Sequence, residues 1–230
     1  MQLDKRTPTL YDQSYMNDVE LGRGASRDKS WVERRTELLG ELNRLESLLF
    51  SLLLERAYES LSPSQKSEFE KELEIILANA LREDVGDGDH SSLACIPEDA
   101  QGKAQLLVKD TGIIAGIAFA ERVFQAVDSN LDVHCLMEEG TLVKPGDVVL
   151  TVSGSTQAIL KAERLVLNAV QRMSAIATKT HSYVALLEGT HTKILDTRKT
   201  TPGIRALEKW AVKIGGGVNH RFALYDAKCF

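Results

Sequence analysis

The chain has 230 residues, 43% of them hydrophobic, which is enough to build one large core or two smaller ones. Its 28 basic and 33 acidic side chains leave a net charge of −5, which argues against general nucleic-acid binding. Three widely spaced cysteines, Cys95, Cys135 and Cys229, provide neither a disulfide framework nor a CxxC metal knuckle, and point to a reducing cytoplasm.

Residues 1–30 are polar and charged throughout, with no secretory signal, and are expected to form a loosely ordered arm. From Trp31 the apolar spacing turns helical: Leu38, Leu42, Leu45, Leu49 and Leu53 recur at three and four, predicting a packing or dimer helix. Its most apolar run, LESLLFSLLLERAY, is too short and too charged at its flanks to cross a membrane. A second helix is predicted from Ser62-Pro63 to Gly86, with serine as the cap and proline in the first turn. GDGDHSS then reads as a turn. Asp84, Asp87, Asp89 and His90 resemble a metal loop in composition, but no bidentate glutamate closes it, so a solvated turn is the preferred reading.

Between Gly102 and Gly154 the pattern shifts to short β runs, KAQLLVK, GIIAGIAF, LDVHCLM and DVVLTVSG, with AERVFQAV as a helical piece. Pro145-Gly146-Asp147 predicts a turn between two strands. A lipoyl or biotinyl carrier module has a similar turn, but needs an exposed lysine at a hairpin tip, and none is present. The long stretch 157–189 is helical, with Ile159, Leu160, Leu167, Val170, Ile176 and Val184 as its apolar positions and a bend allowed at Ser174-Ala175. KILDT is then predicted as a strand. TPGIRALEKWAVKIGGG follows as a helix with Pro202 in its first turn and Ile204, Leu207, Ala211 and Ile214 buried, and VNHRFALYD as the next strand. Strand, helix, strand at this spacing argues for an α/β layer or barrel.

The charge is unevenly placed. Between Lys193 and Arg221 seven basic residues face only Asp196 and Glu208, a +5 island in a chain that is −10 elsewhere. Such an island suits a small polyanion. In LDTRKTTPGIR, Arg198 and Lys199 sit in a turn between a strand and a helix start, with Thr197, Thr200 and Thr201 adding hydroxyls. Arginine can grip a carboxylate through two parallel hydrogen bonds, while lysine serves a phosphate as a point charge. Asn219-His220-Arg221 recurs one helix later. Taken singly, His220 reads as a structural histidine and Arg221 as a surface ion pair.

TRKTTPGIRALEKWAVKIGGGVNHR together with AERLVLNAVQRMSAIATKT resembles the quinolinate phosphoribosyltransferase family, as do EDVGDGDHSS, KDTGIIAG and EEGTLVKPGD. The resemblance runs from about Leu73 to Asp226. It implies an α/β fold class, an open α+β sandwich followed by an incomplete α/β barrel, with residues 1–60 as an extension, 61–163 as the sandwich and 164–230 as the barrel's first part. It implies NAD synthesis: quinolinate and phosphoribosyl pyrophosphate give nicotinate mononucleotide, carbon dioxide and pyrophosphate, with Mg2+ accompanying the pyrophosphate. Arg164 is implied as the arginine offered across a homodimer. Thr197, Arg198, Lys199, His220 and Arg221 are implied to line the quinolinate pocket, with Lys199 and His220 at the chemistry; no residue is assigned as a metal ligand.

The resemblance leaves departures. The family continues beyond LYD through an apolar strand to a lysine and to acidic residues for ribose and magnesium, where this chain reads Lys228-Cys229-Phe230. A truncated, inactive member is therefore expected, and a related enzyme acting on another small acid is the alternative. Ala175 stands where the family has glycine in SGIAT, harmless if the position is helical and costly if φ is positive.

Overall fold

The computed structural model describes residues 63–221, and the arm, the leucine-rich helix, Cys229 and all but the first four residues of the expected VNHRFALYD strand lie outside the described residues. Helix α1 (Pro63–Val85) begins at the predicted proline and stops at Gly86, whose φ of +57° breaks the turn. Short α2 (His90–Cys95) follows where a turn was expected; Asp89 nucleates it by accepting the Ser92 N–H at 3.1 Å.

Strand β5 (Val148–Ser155) is the middle of a three-stranded antiparallel sheet, with β1 (Gln101–Leu107) on one side and β3 (Asp132–Cys135) on the other. Its register runs from Gln101↔Ser155 to Leu107↔Val148 on the first side and from Asp132↔Ser153 to Cys135↔Leu150 on the second. Val149, Leu150 and Val152 of β5 are buried. The Pro145-Gly146-Asp147 turn does separate two strands, but they lie in different sheets, because β4 (Leu142–Val143) pairs with β2 (Gly112–Ile113). No hairpin is formed there.

GIIAGIAF proves to be a strand for only its first two residues. Gly116 takes φ +99° and caps α3 (Ile117–Val127), so the apolar residues beyond it follow helical spacing, with Ile117, Phe119, Ala120, Val123 and Phe124 buried. Each buried Ile, Val or Phe side chain of this face contributes about 1.5–3 kcal/mol, and the Ala120 methyl less.

Helix α4 (Thr156–Ala185) is the spine. Ser155 caps it, and it runs without interruption past Ser174-Ala175. It packs against α1, α2 and α3 and against β1, β2 and β5. Of the apolar positions expected to face inward, Ile159 and Val170 are buried and Ile176 packs against the core, but Leu160 and Leu167 are exposed and the rest of the buried stripe is Ala162, Val166, Ala169, Met173, Ala177 and Thr180. Small residues allow other elements to approach closely; larger ones are displaced to the flanks. Ser174 and Thr178 hold the 112–115 segment, their hydroxyls accepting the Ala115 N–H at 2.9 Å and the Ile113 N–H at 2.8 Å. Ala175 is helical and exposed, so the alanine reading that costs nothing applies.

The last described helix, α5 (Arg205–Ile214), starts three residues later than Pro202. Thr201-Pro202-Gly203-Ile204 is a β-turn instead, with Ile204 N–H reaching Thr201 O at 3.4 Å and Gly203 at φ +86°, a conformation no helix interior has. Leu207, Ala211 and Ile214 are buried as predicted, and Trp210 meets Phe69 of α1 edge to face at 5.5 Å. The helix ends in a Schellman motif: Gly216, at φ +87°, donates to Lys213 O and Gly217 donates to Val212 O. Gly215 is required for a different reason, since a Cβ there would lie 2.4 Å from Ala177 O of α4. The sheets described are open, and the expected KILDT strand reduces to one parallel bridge, Leu195↔Val218.

Candidate functional site

That single bridge positions the cationic segments. Asp196 N–H donates to Val218 O at 3.0 Å and Val218 N–H donates to Ile194 O at 2.9 Å, so the chain following Leu195 runs beside the chain following Val218. Parallel pairing puts Thr197-Arg198-Lys199 and Asn219-His220-Arg221 at the same end of both segments. Arg198, His220 and Arg221 are half-buried and Lys199 and Thr197 are exposed.

Asp196 ties the two segments together. Its Oδ1 accepts the His220 backbone N–H at 2.8 Å, and its Oδ2 lies 2.6 Å from Lys209 Nζ. The Asn219 amide, oriented by its partners, donates to Asp196 Oδ2 at 2.8 Å and to Lys209 O at 3.0 Å. Lys209 is 1% exposed. An ammonium so far from water needs a carboxylate, and Asp196 supplies it.

The far end of the loop is held separately. Glu208 accepts the Thr201 N–H at 3.0 Å through Oε2 and the Thr201 hydroxyl at 2.8 Å through Oε1, and Arg172 of α4 grips the same carboxylate at 2.6 and 3.0 Å. Burial alone would raise the Glu208 pKa, but the Arg172 and Thr201 hydrogen bonds outweigh it and the carboxyl is held below its usual value. Within the loop, Thr197 Oγ1 accepts the Lys199 N–H at 3.0 Å, and Arg205 Nε donates to Thr200 Oγ1 at 3.0 Å. Arg198, Lys199 and Arg221 form no ion pair with a carboxylate among the described residues. No described carboxylate is committed to these three charges, whereas Asp196 and Lys209, and Glu208 and Arg172, neutralise each other, an arrangement suited to receiving an anion.

Arg164 is elsewhere. It projects from α4 two turns before Arg172, its Nε 3.8 Å from Asp84 Oδ1 and its side chain 75% exposed, and it lines a groove of about 610 Å³ with Asp84, Asp89, His90 and Lys161. A second groove of about 720 Å³, mostly apolar, lies between β2 and α4. Neither groove is lined by Arg198, Lys199, His220 or Arg221. In the segment read as a solvated turn, Asp84 faces Arg164, Asp89 caps α2, and Asp87 pairs with His90 at 3.2 Å. The Ser92 hydroxyl, followed by the Ser92 N–H, holds the Asp89 carboxyl below its usual range.

Sequence reasoning singled out the cations and left Asp196, Glu208, Lys209 and Arg172 without roles. One signal was available: two acids inside a +5 island are candidates for internal pairing, since every neighbour is a potential partner.

Residues 89–174 match the family described as quinolinate phosphoribosyl transferase, N-terminal domain, and residues 176–229 match its C-terminal domain. The chain is 45% identical over 157 residues to a nicotinate-nucleotide pyrophosphorylase [carboxylating], chloroplastic, of Oryza sativa, covering 67% of this chain and 42% of that protein. It is 42% identical over 155 residues to a probable nicotinate-nucleotide pyrophosphorylase [carboxylating] of Bacillus subtilis, covering 67% and 53%. Among solved structures, NadC from Streptococcus pyogenes superposes with a TM-score of 0.63 at 40% identity, over 73% of this chain and 58% of that one. The chain spans about half the length of the curated relatives it matches.

Proposed function

The chain belongs to the quinolinate phosphoribosyl transferase family, and from that premise we propose that its cationic loops serve quinolinate and phosphoribosyl pyrophosphate in the decarboxylating synthesis of nicotinate mononucleotide. The observation that carries this reading is the shared anchor, Asp196, which joins the Arg198–Lys199 loop to the His220–Arg221 segment. Quinolinate has two carboxylates, and two arginines on adjacent chain segments match them in charge and in hydrogen-bonding geometry. Lys199, a mobile point charge, and His220 complete the ring around the diacid, with Thr197 adding a hydroxyl.

These groups would act by positioning and electrostatics. Holding the diacid presents its ring nitrogen to the sugar carbon as pyrophosphate departs. The pyridinium so formed stabilises the electron pair left on the neighbouring ring carbon when its carboxylate leaves as carbon dioxide, and a proton taken up at that carbon from solvent completes nicotinate mononucleotide. No side chain need form a covalent bond. Arg164, exposed and lining a groove that none of the loop cations lines, fits the role of an arginine lent to a second copy, so a homodimer with shared sites is part of this reading.

Mg2+ belongs to it only as the companion of the pyrophosphate. Among the described residues no cluster of three metal-ligating side chains occurs, and both carboxylates at the loops, Asp196 and Glu208, are committed to cations and N–H groups.

A cytoplasmic location is consistent with the two exposed thiols, Cys95 and Cys135, and no described helix is long and apolar enough to cross a membrane.

Calorimetric titration of the chain with quinolinate tests the reading. Arg198→Ala and Arg221→Ala should each weaken binding by about tenfold or more, the scale of a lost charge-assisted hydrogen bond. Affinity unchanged in both variants would remove these arginines from the site.

A further inference from the structure

Glu208 and Lys209 are neighbours on α5, 7% and 1% exposed, and they hold opposite ends of one loop. Lys209 meets Asp196, just before the loop, at 2.6 Å. Glu208 meets the Thr201 N–H and hydroxyl, just after it, at 3.0 and 2.8 Å. Between these two points lie Thr197, Arg198, Lys199 and Thr200. Each anchor is itself secured from another element: Arg172 of α4 bonds Glu208 and, at 3.0 Å, the Thr201 hydroxyl, while Asn219 and the His220 N–H bond Asp196.

Two buried charges side by side on a helix are an expensive way to fill space, since apolar residues of like volume pack as well or better. What ion pairs add is a fixed geometry for the chain they hold. We propose that Glu208 and Lys209 are positioning residues, a two-point clamp that fixes the 197–200 loop before the ligand arrives and so sets the backbone from which Arg198 and Lys199 project. The proposal rests on the diacid reading of that loop. Without the clamp the loop samples many conformations, and the diacid must bear the ordering entropy on binding, which weakens affinity without removing a contact. The same anchor reaches the second cationic segment, because Asp196 serves both Lys209 and His220 N–H. One turn of α5 therefore sets the relative placement of both halves of the site.

The test combines amide hydrogen exchange with quinolinate calorimetry on the whole chain, comparing Glu208→Gln, Thr201→Val and Glu70→Gln. Thr201→Val removes only the hydroxyl arm and spares the buried charges. Glu70→Gln breaks the Glu70–Arg122 pair between α1 and α3, a structural ion pair outside the loop. Glu208→Gln and Thr201→Val should speed exchange of the loop amides relative to those of α4, and weaken quinolinate by about tenfold for the first and less for the second. Glu70→Gln should do neither. Loop exchange at the wild-type rate in both variants overturns the clamp, as does faster exchange with wild-type affinity. If Glu208→Gln fails to fold, Thr201→Val decides alone. If the wild-type chain binds no quinolinate, the diacid reading falls, and the exchange rates by themselves decide whether the clamp exists.

Discussion

Lys209 Nζ lies 2.6 Å from Asp196 Oδ2, and neither side chain is more than 5% exposed. Removing one partner of such a pair leaves a buried charge with no compensation, at a cost of about 3–5 kcal/mol. Lys209→Met should therefore destabilise the chain by that order in urea unfolding. Adding Asp196→Asn should recover a large part of the loss, because the amide oxygen can still accept the His220 N–H while the stranded charge is gone. Equal stability of the single and double variants would mean that the pair is not coupled.

The sequence made the elements legible wherever their own side chains determine them. Helix α1 begins at the predicted proline, and the buried face of α5 is carried by Leu207, Ala211 and Ile214 as periodicity requires. Misreadings fall where a long-range contact decides. Leu160 and Leu167 are exposed and Ala162 and Ala169 buried because the elements packed on α4 need room, which no local pattern records. The Pro202-Gly203 turn displaced a helix start because a positive φ at Gly203 overrides the preference for proline in a first turn. At the site, the residues that meet solvent were readable from charge. For Asp196, Glu208 and Lys209 the sequence offered only the hint of two acids inside a +5 island, since which cation each acid meets is decided by the fold and not by either position alone.

Glu139 offers a pH-dependent test. Its carboxylate accepts the Gly116 N–H at 2.8 Å and the Ala118 N–H at 3.0 Å at the start of α3, yet burial pushes its pKa up to about 7, beyond what these N–H groups pull back. The folded state then holds a proton that the unfolded state releases near pH 4.5, so stability is fully present below that pH and declines as pH rises through 7. Unfolding free energy should fall by about 1–3 kcal/mol between pH 4.5 and 8 through this group. Glu139→Gln, neutral throughout, should flatten that part of the profile. An identical slope in both proteins would assign the pH dependence to other groups.

The crossing of α4 by the turn after α5 predicts an asymmetry between glycines. Gly215→Ala would place a Cβ 2.4 Å from Ala177 O and 2.7 Å from Thr180 Cβ, both on the buried face of α4, so backbone must move. The cost should be about 3 kcal/mol or more, at the upper end for overpacking. Gly146→Ala, at φ +96° with nothing within 4 Å, should cost only the left-handed strain of about 1–2 kcal/mol. Thermal melts of the two variants should differ by several degrees. Because the same turn leads into Asn219-His220-Arg221, Gly215→Ala should also weaken quinolinate binding, whereas Gly146→Ala should not.

A site shared between two copies makes a prediction about mixtures. Arg164→Ala should leave thermal stability within about 0.5 kcal/mol of wild type, because its contact with Asp84 is long and mostly in water. Under the proposed arrangement it should nevertheless reduce quinolinate binding, as should Arg198→Ala. Each homodimer would then carry two defective sites. In a heterodimer, however, the Arg164→Ala copy keeps its own Arg198 and receives Arg164 from the Arg198→Ala copy, which completes one site of the two. Unfolding, mixing in equal amounts and refolding should thus restore binding to about a quarter of the wild-type sites, the share expected from random pairing. If the mixture binds no more than the two variants separately, while both still fold, Arg164 and Arg198 do not meet across an interface and the shared-site part of the reading must be abandoned.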